Sequence, residues 1–307
     1  MTDLSRELGW LFGLGFEKCG TTTFNAMLEG SADFLAPAGK ETFFFNRHHA
    51  NGLGFYHQLY APELKPGARW AVDITPSYVR DPEAIARIKA FADSRRPLET
   101  RFMVFLRNPV YRAYSHYVHN IRLHYSRFEL DSHSDAPYAR SFEQEFEANR
   151  EIYFTPYADR VDSLLQQFGK RHVLVLVLEE DFRSQQGLTE KLSVLLGQSV
   201  ALGDFPSRTA QNRNEMSRWS TWPLVPGLGV MKPRHLVVRR QSGSARPVGT
   251  TTDARKLHRA QSQWTRELSA ETAQTLFMDR FETDCARLED LLGRRLDCWR
   301  RFRPVTY

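Results

Sequence analysis

The sequence predicts an α/β fold of three layers, a central parallel sheet flanked by helices, and three observations predict it. Apolar runs of strand length alternate with helical patterns along the chain, the order that lays parallel strands side by side beneath helices on both faces. The run 172–178, His-Val-Leu-Val-Leu-Val-Leu, is the most β-rich in the chain and reads as a strand buried on both faces. A loop rich in glycine and threonine joins the first apolar run to the first helical pattern, so its backbone N–H groups gather at a helix N-terminus.

The first strand is the apolar run 10–15, and the helix after it takes its first turns from Thr23, Phe24, Asn25, Ala26, Met27 and Leu28. Residues 33–37 read as a short second strand and 69–74 as a third, followed after Asp81-Pro82 by a helix through 83–88. The fourth strand covers 101–106. Pro109 then stands at the start of a helix, a first-turn position that needs no N–H donor. A helix over 158–168 precedes the 172–178 strand, and the pattern 188–196 follows it. Regularity is lost from about 206 to 257, where prolines and glycines interrupt any helix and 232–246 carries five basic residues and no acidic one. This stretch reads as a solvated basic loop or as a lid over a ligand. Residues 271–292 regain a helical period through Leu276, Phe277, Phe281, Leu288, Leu291 and Leu292, and are expected to pack on the sheet.

With 307 residues, 41% of them hydrophobic, the chain can bury a sizeable core as one domain over 1–307, with an irregular lid or substrate loop at about 206–257. No apolar run has the length of a transmembrane helix, and the N-terminus lacks the basic-then-apolar layout of a signal peptide; a cytoplasmic, soluble protein is expected. Cys19, Cys285 and Cys298 are too few and too scattered for a disulfide framework or a zinc site. The net charge of +6 suits a polyanionic ligand, and no basic helix interleaved with aromatics points to nucleic acid.

The loop Gly15-Phe16-Glu17-Lys18-Cys19-Gly20-Thr21-Thr22-Thr23 differs from the ordinary nucleotide-triphosphate loop in one respect. Thr21 stands where that pattern has its lysine, and the only lysine is Lys18, on the ascending side. In a second segment, Arg107-Asn108-Pro109-Val110-Tyr111-Arg112-Ala113-Tyr114-Ser115, Arg107 lies at a strand's C-terminal end and Ser115 about two turns into the next helix, so a guanidinium and a hydroxyl can converge on a second phosphate. Together G-x-x-K-x-G-T-T and R-N-P-x-x-R-A-x-S-x-Y resemble the two cofactor motifs of sulfotransferases that use 3′-phosphoadenosine-5′-phosphosulfate (PAPS).

That resemblance implies a P-loop-like fold and an enzyme that moves a sulfuryl group from PAPS to a hydroxyl by in-line displacement, leaving 3′,5′-bisphosphoadenosine and requiring no metal. It implies that Lys18, Cys19, Gly20, Thr21, Thr22 and Thr23 cradle the 5′-phosphosulfate, that Lys18 is also catalytic, and that Arg107 and Ser115 hold the 3′-phosphate. The segment Lys40-Glu41-Thr42-Phe43-Phe44-Phe45 resembles the K-E-x-x-F-F stretch of heparan sulfate sulfotransferases, where the glutamate is the general base; Glu41 is the corresponding residue and Lys40 an acceptor contact. A carboxylate suits that work, because the attacking hydroxyl must lose its proton. Asp73-Ile74-Thr75-Pro76-Ser77-Tyr78 resembles the E-K-[ST]-P-x-Y stretch of the same group, with Ile74 in place of the lysine; Asp73 is a second candidate base or an orienting group, and Thr75 and Tyr78 are candidate acceptor contacts. His48 and His49 are further candidate bases, ahead of His116, His119 and His124 in the helix after Pro109. The resemblance also implies contacts to the adenine and 3′-phosphate from a later loop, for which Arg208, Asn212 and Ser242-Gly243-Ser244 are candidates, none of them matching a family motif. The implied acceptor is a glycan or glycoconjugate hydroxyl; alternatives are a phenolic, lipid or natural-product hydroxyl, or a nucleotide-dependent kinase of related fold.

Overall fold

The computed structural model describes residues 8–60, 65–95, 99–127, 141–206 and 268–305, with side chains of 121–127 excepted. They fall into two compact units, the first formed by segments before Pro109, after Thr155 and from Asp284 to Trp299, the second by Pro109–Thr155 with later segments.

The first unit holds the sheet. Its strands are β1 (Gly9–Gly15), β2 (Phe34–Leu35), β3 (Trp70–Ile74), β4 (Thr100–Leu106) and β5 (Val173–Val177), all parallel and ordered β2-β3-β1-β4-β5. The chain leaves β1 for β2 and β3 on one side and afterwards builds β4 and β5 on the other. The order therefore reverses beside β1, and ligands of such sheets bind beyond the carboxyl ends of the strands at that crevice.

Helices cover both faces, as their ring contacts require. On one face Phe24 of α1 (Thr21–Glu29) meets Phe105 edge-on at 5.3 Å. On the other, Phe91 of α3 (Pro82–Ser94) lies edge-on to Trp10 at 5.2 Å, and Phe168 of α7 (Ala158–Phe168) stacks on Phe102 at 3.9 Å. Trp10 also stacks on Tyr56 of α2 (Gly52–Gln58) at 5.1 Å and meets Tyr60 edge-on at 5.3 Å. Each such pair adds about 0.5–1.5 kcal/mol beyond the area it buries. α3 starts where Asp81 caps it, accepting from the Glu83 and Ala84 N–H groups, with Pro82 in its first turn.

The second unit contains α4 (Pro109–Arg127), α5 (Phe142–Ala148), α6 (Arg150–Tyr153) and α10 (Ala270–Arg280). α5 opens on a reciprocal capping box between Ser141 and Gln144. Arg112, fully buried, donates to the Tyr153 carbonyl at the end of α6.

Three expectations are corrected. The 172–178 strand is shorter, because Leu178 already opens α8 (Leu178–Asp181), and it lies at a sheet edge with Leu174 and Val175 only half-buried. The pattern 271–292 is two helices, α10 and α11 (Glu282–Leu292), interrupted at Phe281, and α10 packs with α4. The second strand is two residues long, ending before Pro37, which has no N–H for a ladder. α9 (Gln185–Leu196) agrees with the 188–196 pattern. Nearly all of the irregular 206–257 stretch, with Arg208, Asn212 and Ser242 to Ser244, lies outside the described residues.

Candidate active site

β1 delivers the chain to an anion loop. Past Gly15, the Phe16 N–H still bonds the Phe105 carbonyl at 2.9 Å, and the chain then turns through Lys18 (φ 68°) and Gly20 (φ 89°) into α1. Gly20 suits this turn because its φ is left-handed, and a Cβ there would also push on Leu178 Cδ1, 2.7 Å away. α1 begins with no side-chain cap and no acidic residue in its first turn. The N–H groups of Thr21, Thr22 and Thr23 thus stand at an N-terminus whose dipole favours an anion. Thr22 is exposed, Thr21 buried and Thr23 half-buried. The Cys19 side chain takes no part in that surface: it is buried, with Sγ 3.6 Å from the Glu17 carbonyl and 3.8 Å from the Tyr157 hydroxyl, leaving only its backbone to the loop.

The second motif meets the first directly. Arg107, immediately after β4, donates from Nη1 to the Lys18 carbonyl at 3.2 Å. Its own carbonyl accepts from Tyr157 at 3.0 Å. Asn108 is clamped by Glu179, which accepts its N–H at 2.9 Å, and by the Trp299 carbonyl, which accepts from Nδ2 at 2.8 Å. Trp299 Nε1 donates to the other Glu179 oxygen at 3.0 Å. Burial pushes the Glu179 carboxyl up, while those N–H bonds and the Arg107 charge pull it down. Ser115 is half-buried on α4, in the second unit.

The Lys40-Glu41 segment is brought to the same loop. Lys40 Nζ lies 2.7 Å from Glu41 Oε1 and 3.5 Å from the Thr21 hydroxyl, and both side chains keep over a quarter of their surface in solvent. Next to them, Thr42 enters the interior. Asp73, fully buried on β3, accepts from Thr75 at 2.7 Å, Thr42 at 2.8 Å, Tyr56 at 2.9 Å and Tyr78 at 3.0 Å. Four hydroxyls thus serve a carboxylate with about four acceptor sites. Burial pushes the Asp73 carboxyl above its usual range, and the hydroxyl bonds oppose that shift. Asp73, Thr75 and Tyr78 all have no exposed surface, so the structure does not bring them to an open acceptor face.

The histidines differ in setting. His48 is half-buried, with its imidazole pushed down by burial and by Arg47, and His49 is exposed. Arg47 lies 4.4 Å above the Phe43 ring. His116 and His119 are half-buried on α4, and the His124 side chain is not among those described. Cys19, Cys285 and Cys298 are not in disulfides. Among the described residues no cluster of His, Cys, Asp and Glu is arranged to hold a metal ion, and no helix is long and apolar enough to cross a membrane.

Sequence reasoning missed Thr42, Tyr157, Glu179 and Trp299 as supports of the site. The only sequence signal for Glu179 is its position just past the carboxyl end of β5.

Comparison with known proteins places the chain in a family. The heparan sulfate glucosamine 3-O-sulfotransferase 3B1 of Mus musculus is 33% identical over 117 residues, 38% of this chain and 28% of that protein. The heparan sulfate glucosamine 3-O-sulfotransferase 6 of Homo sapiens is 34% identical over 108 residues, 35% of this chain and 29% of that protein. The chain thus matches under a third of the length of these relatives. The crystal structure of a sulfotransferase from Alicyclobacillus acidocaldarius superposes with a TM-score of 0.59 at 20% identity, covering 95% of this chain and 98% of that one, a likeness of fold. The sulfotransferase-domain family model matches residues 11–218, more than half of the chain, which therefore belongs to the sulfotransferase family with its P-loop-like α/β fold.

Proposed function

We propose that the protein transfers a sulfuryl group from PAPS to a hydroxyl of a carbohydrate or glycoconjugate by in-line displacement. The observation that carries this reading is the convergence of three segments: Arg107 bonds the Lys18 carbonyl, and Lys40, paired with Glu41, reaches Thr21 at the start of α1. An anion at the uncapped α1 N-terminus then has two cationic segments in contact with the loop that would hold it.

In this reading the N–H groups of Gly20, Thr21, Thr22 and Thr23 hold the 5′-phosphate, and Arg107 with Ser115 takes the 3′-phosphate. The acceptor oxygen attacks sulfur, the bond from sulfur to the bridging oxygen breaks, and Glu41 takes the acceptor's proton. Lys18 neutralises the charge that builds on the bridging oxygen, so 3′,5′-bisphosphoadenosine leaves. Preorganised charge stabilisation of this kind is often the largest catalytic contribution. A carbohydrate acceptor is supported by the K-E-x-x-F-F pattern and by relatives whose names specify heparan sulfate glucosamine.

Arg107→Ala is expected to raise the donor KM roughly thirty-fold or more and to erase the preference for a 3′-phosphate, since truncating one side of a desolvated charge pair costs about 2–5 kcal/mol. Competition by 3′,5′-bisphosphoadenosine against adenosine 5′-phosphate measures it, and an unchanged preference assigns the 3′-phosphate to another residue. The reading as a whole is tested by which nucleotide raises the melting temperature. Stabilisation by 3′,5′-bisphosphoadenosine without magnesium is expected; stabilisation by Mg-ATP alone contradicts it and favours a kinase.

A further inference from the structure

Beside the solvent-facing Glu41 lies a polar cluster with no surface of its own. Asp73, Thr75 and Tyr78 are fully buried, Tyr56 likewise, and Thr42 keeps 7% of its surface. Among the described residues the only groups shown on the Asp73 carboxyl are hydroxyls, and hydrogen bonds of this kind offset the high cost of burying a carboxylate. The donors come from separate pieces of chain: Thr42 from the Glu41 segment, Tyr56 from α2, Thr75 and Tyr78 from the turn after β3.

Thr42 is tied into this cluster at every polar atom it offers inward. Its hydroxyl donates to Asp73 Oδ2 at 2.8 Å, lies 2.9 Å from the Tyr78 hydroxyl, and accepts the Phe44 N–H at 3.2 Å. Its own N–H donates to Thr75 Oγ1 at 3.1 Å, and Thr75 in turn donates to Asp73 Oδ1. The Tyr78 hydroxyl also accepts the Phe45 N–H at 3.4 Å. The backbone on the C-terminal side of Glu41 is thereby held at three of its next four amides, those of Thr42, Phe44 and Phe45. Phe43 itself sits in the left-handed region at φ 49°, a conformation a bulky residue keeps only when its surroundings impose it.

We propose that the Asp73 carboxylate and the Thr42 hydroxyl are positioning residues that act through the peptide between Glu41 and Thr42 to hold the Glu41 carboxylate toward the anion loop. This rests on Glu41 as the base. It gives Asp73 a part in the reaction without contact with the acceptor, and it explains why a buried acid is kept where an apolar side chain would pack without that cost.

The test is a double-variant cycle on sulfate transfer from PAPS to the acceptor the wild type uses best. Thr42→Val removes the hydroxyl at nearly constant volume and is expected to lower kcat roughly ten- to a hundredfold, the size of effect that misplacing a catalytic group produces. The donor KM and the melting-temperature rise with 3′,5′-bisphosphoadenosine should stay near wild type, and Thr42→Ser should restore most of kcat. In a Glu41→Gln background Thr42→Val should cost little more, because both changes remove one function. A loss that multiplies in the double variant, or a Thr42→Val enzyme with wild-type kcat, overturns the proposal. An undiminished Glu41→Gln enzyme overturns the assignment of the base instead. Should Thr42→Val fail to fold, Tyr78→Phe, which removes the hydroxyl shared by Asp73 and the Phe45 N–H, enters the same cycle with the same criteria.

Discussion

Lys18→Ala is expected to lower kcat for sulfuryl transfer by at least roughly a hundred- to a thousandfold, the loss typical of removing one group that stabilises transition-state charge. The ground-state donor spreads its negative charge over the phosphosulfate, whereas the bridging oxygen becomes anionic only as its bond to sulfur breaks. A lysine that meets that oxygen therefore matters most in the transition state, and its loss falls mainly on kcat instead of on donor binding. Binding survives because it rests on other groups: the α1 N-terminus has no competing cap, and Arg107 stands on the Lys18 carbonyl, which alanine retains. Lys18→Met, uncharged and of similar length, should be as inactive as Lys18→Ala. The measurement is single-turnover transfer at saturating PAPS beside a binding isotherm for 3′,5′-bisphosphoadenosine. Near-wild-type turnover in either variant contradicts the role.

The second large effect concerns the base. Glu41→Gln is expected to lower kcat by roughly two to four orders of magnitude on an aliphatic alcohol, the usual range for a positioned proton acceptor, and to leave nucleotide binding nearly intact. A sugar hydroxyl is a weak acid and gains more from a base than a phenol does, so a phenolic acceptor should be less affected. Asp73→Asn provides the contrast. Asp73 is fully buried behind Thr42, Tyr56 and Tyr78, so its replacement should reduce kcat through displacement of Glu41 and should also lower the melting temperature, whereas Glu41, partly in solvent, should leave stability nearly unchanged. A Glu41→Gln enzyme that stays active while Asp73→Asn is folded and dead assigns the base to Asp73.

Much of this site was legible because its signals are local. The spacing of Gly15, Lys18, Gly20 and Thr21 describes one turn of chain between a strand and a helix, and Arg107-Asn108-Pro109 marks a strand end and a helix start within three residues. The strands and most helices followed for the same reason, since their periods repeat within a few turns. What was not legible depends on distant partners. Asp73 reads as a candidate base from its neighbours in sequence, but its environment is set by Thr42 and Tyr56, 31 and 17 residues away. Glu179 clamps Asn108 across 71 residues, and nothing in its own Leu-Glu-Glu-Asp stretch indicates a partner. β5 has the composition of a central strand yet lies at an edge, because strand order is a property of the crossovers and not of the strand. The break at Phe281 was hidden because apolar residues continue at helical spacing across it.

The proposed movement of a sulfuryl group from PAPS to a carbohydrate hydroxyl is tested most directly by transfer of radiolabelled sulfate from PAPS to a panel of glycans, phenols and lipid alcohols, with the full chain and without added metal. Label on glycans is expected, stable to removal of nucleotide and reduced to near background in Lys18→Ala and Glu41→Gln. Label confined to phenols or lipid alcohols contradicts the acceptor class, and no transfer to any hydroxyl, with phosphate transferred from Mg-ATP in its place, contradicts sulfuryl transfer altogether.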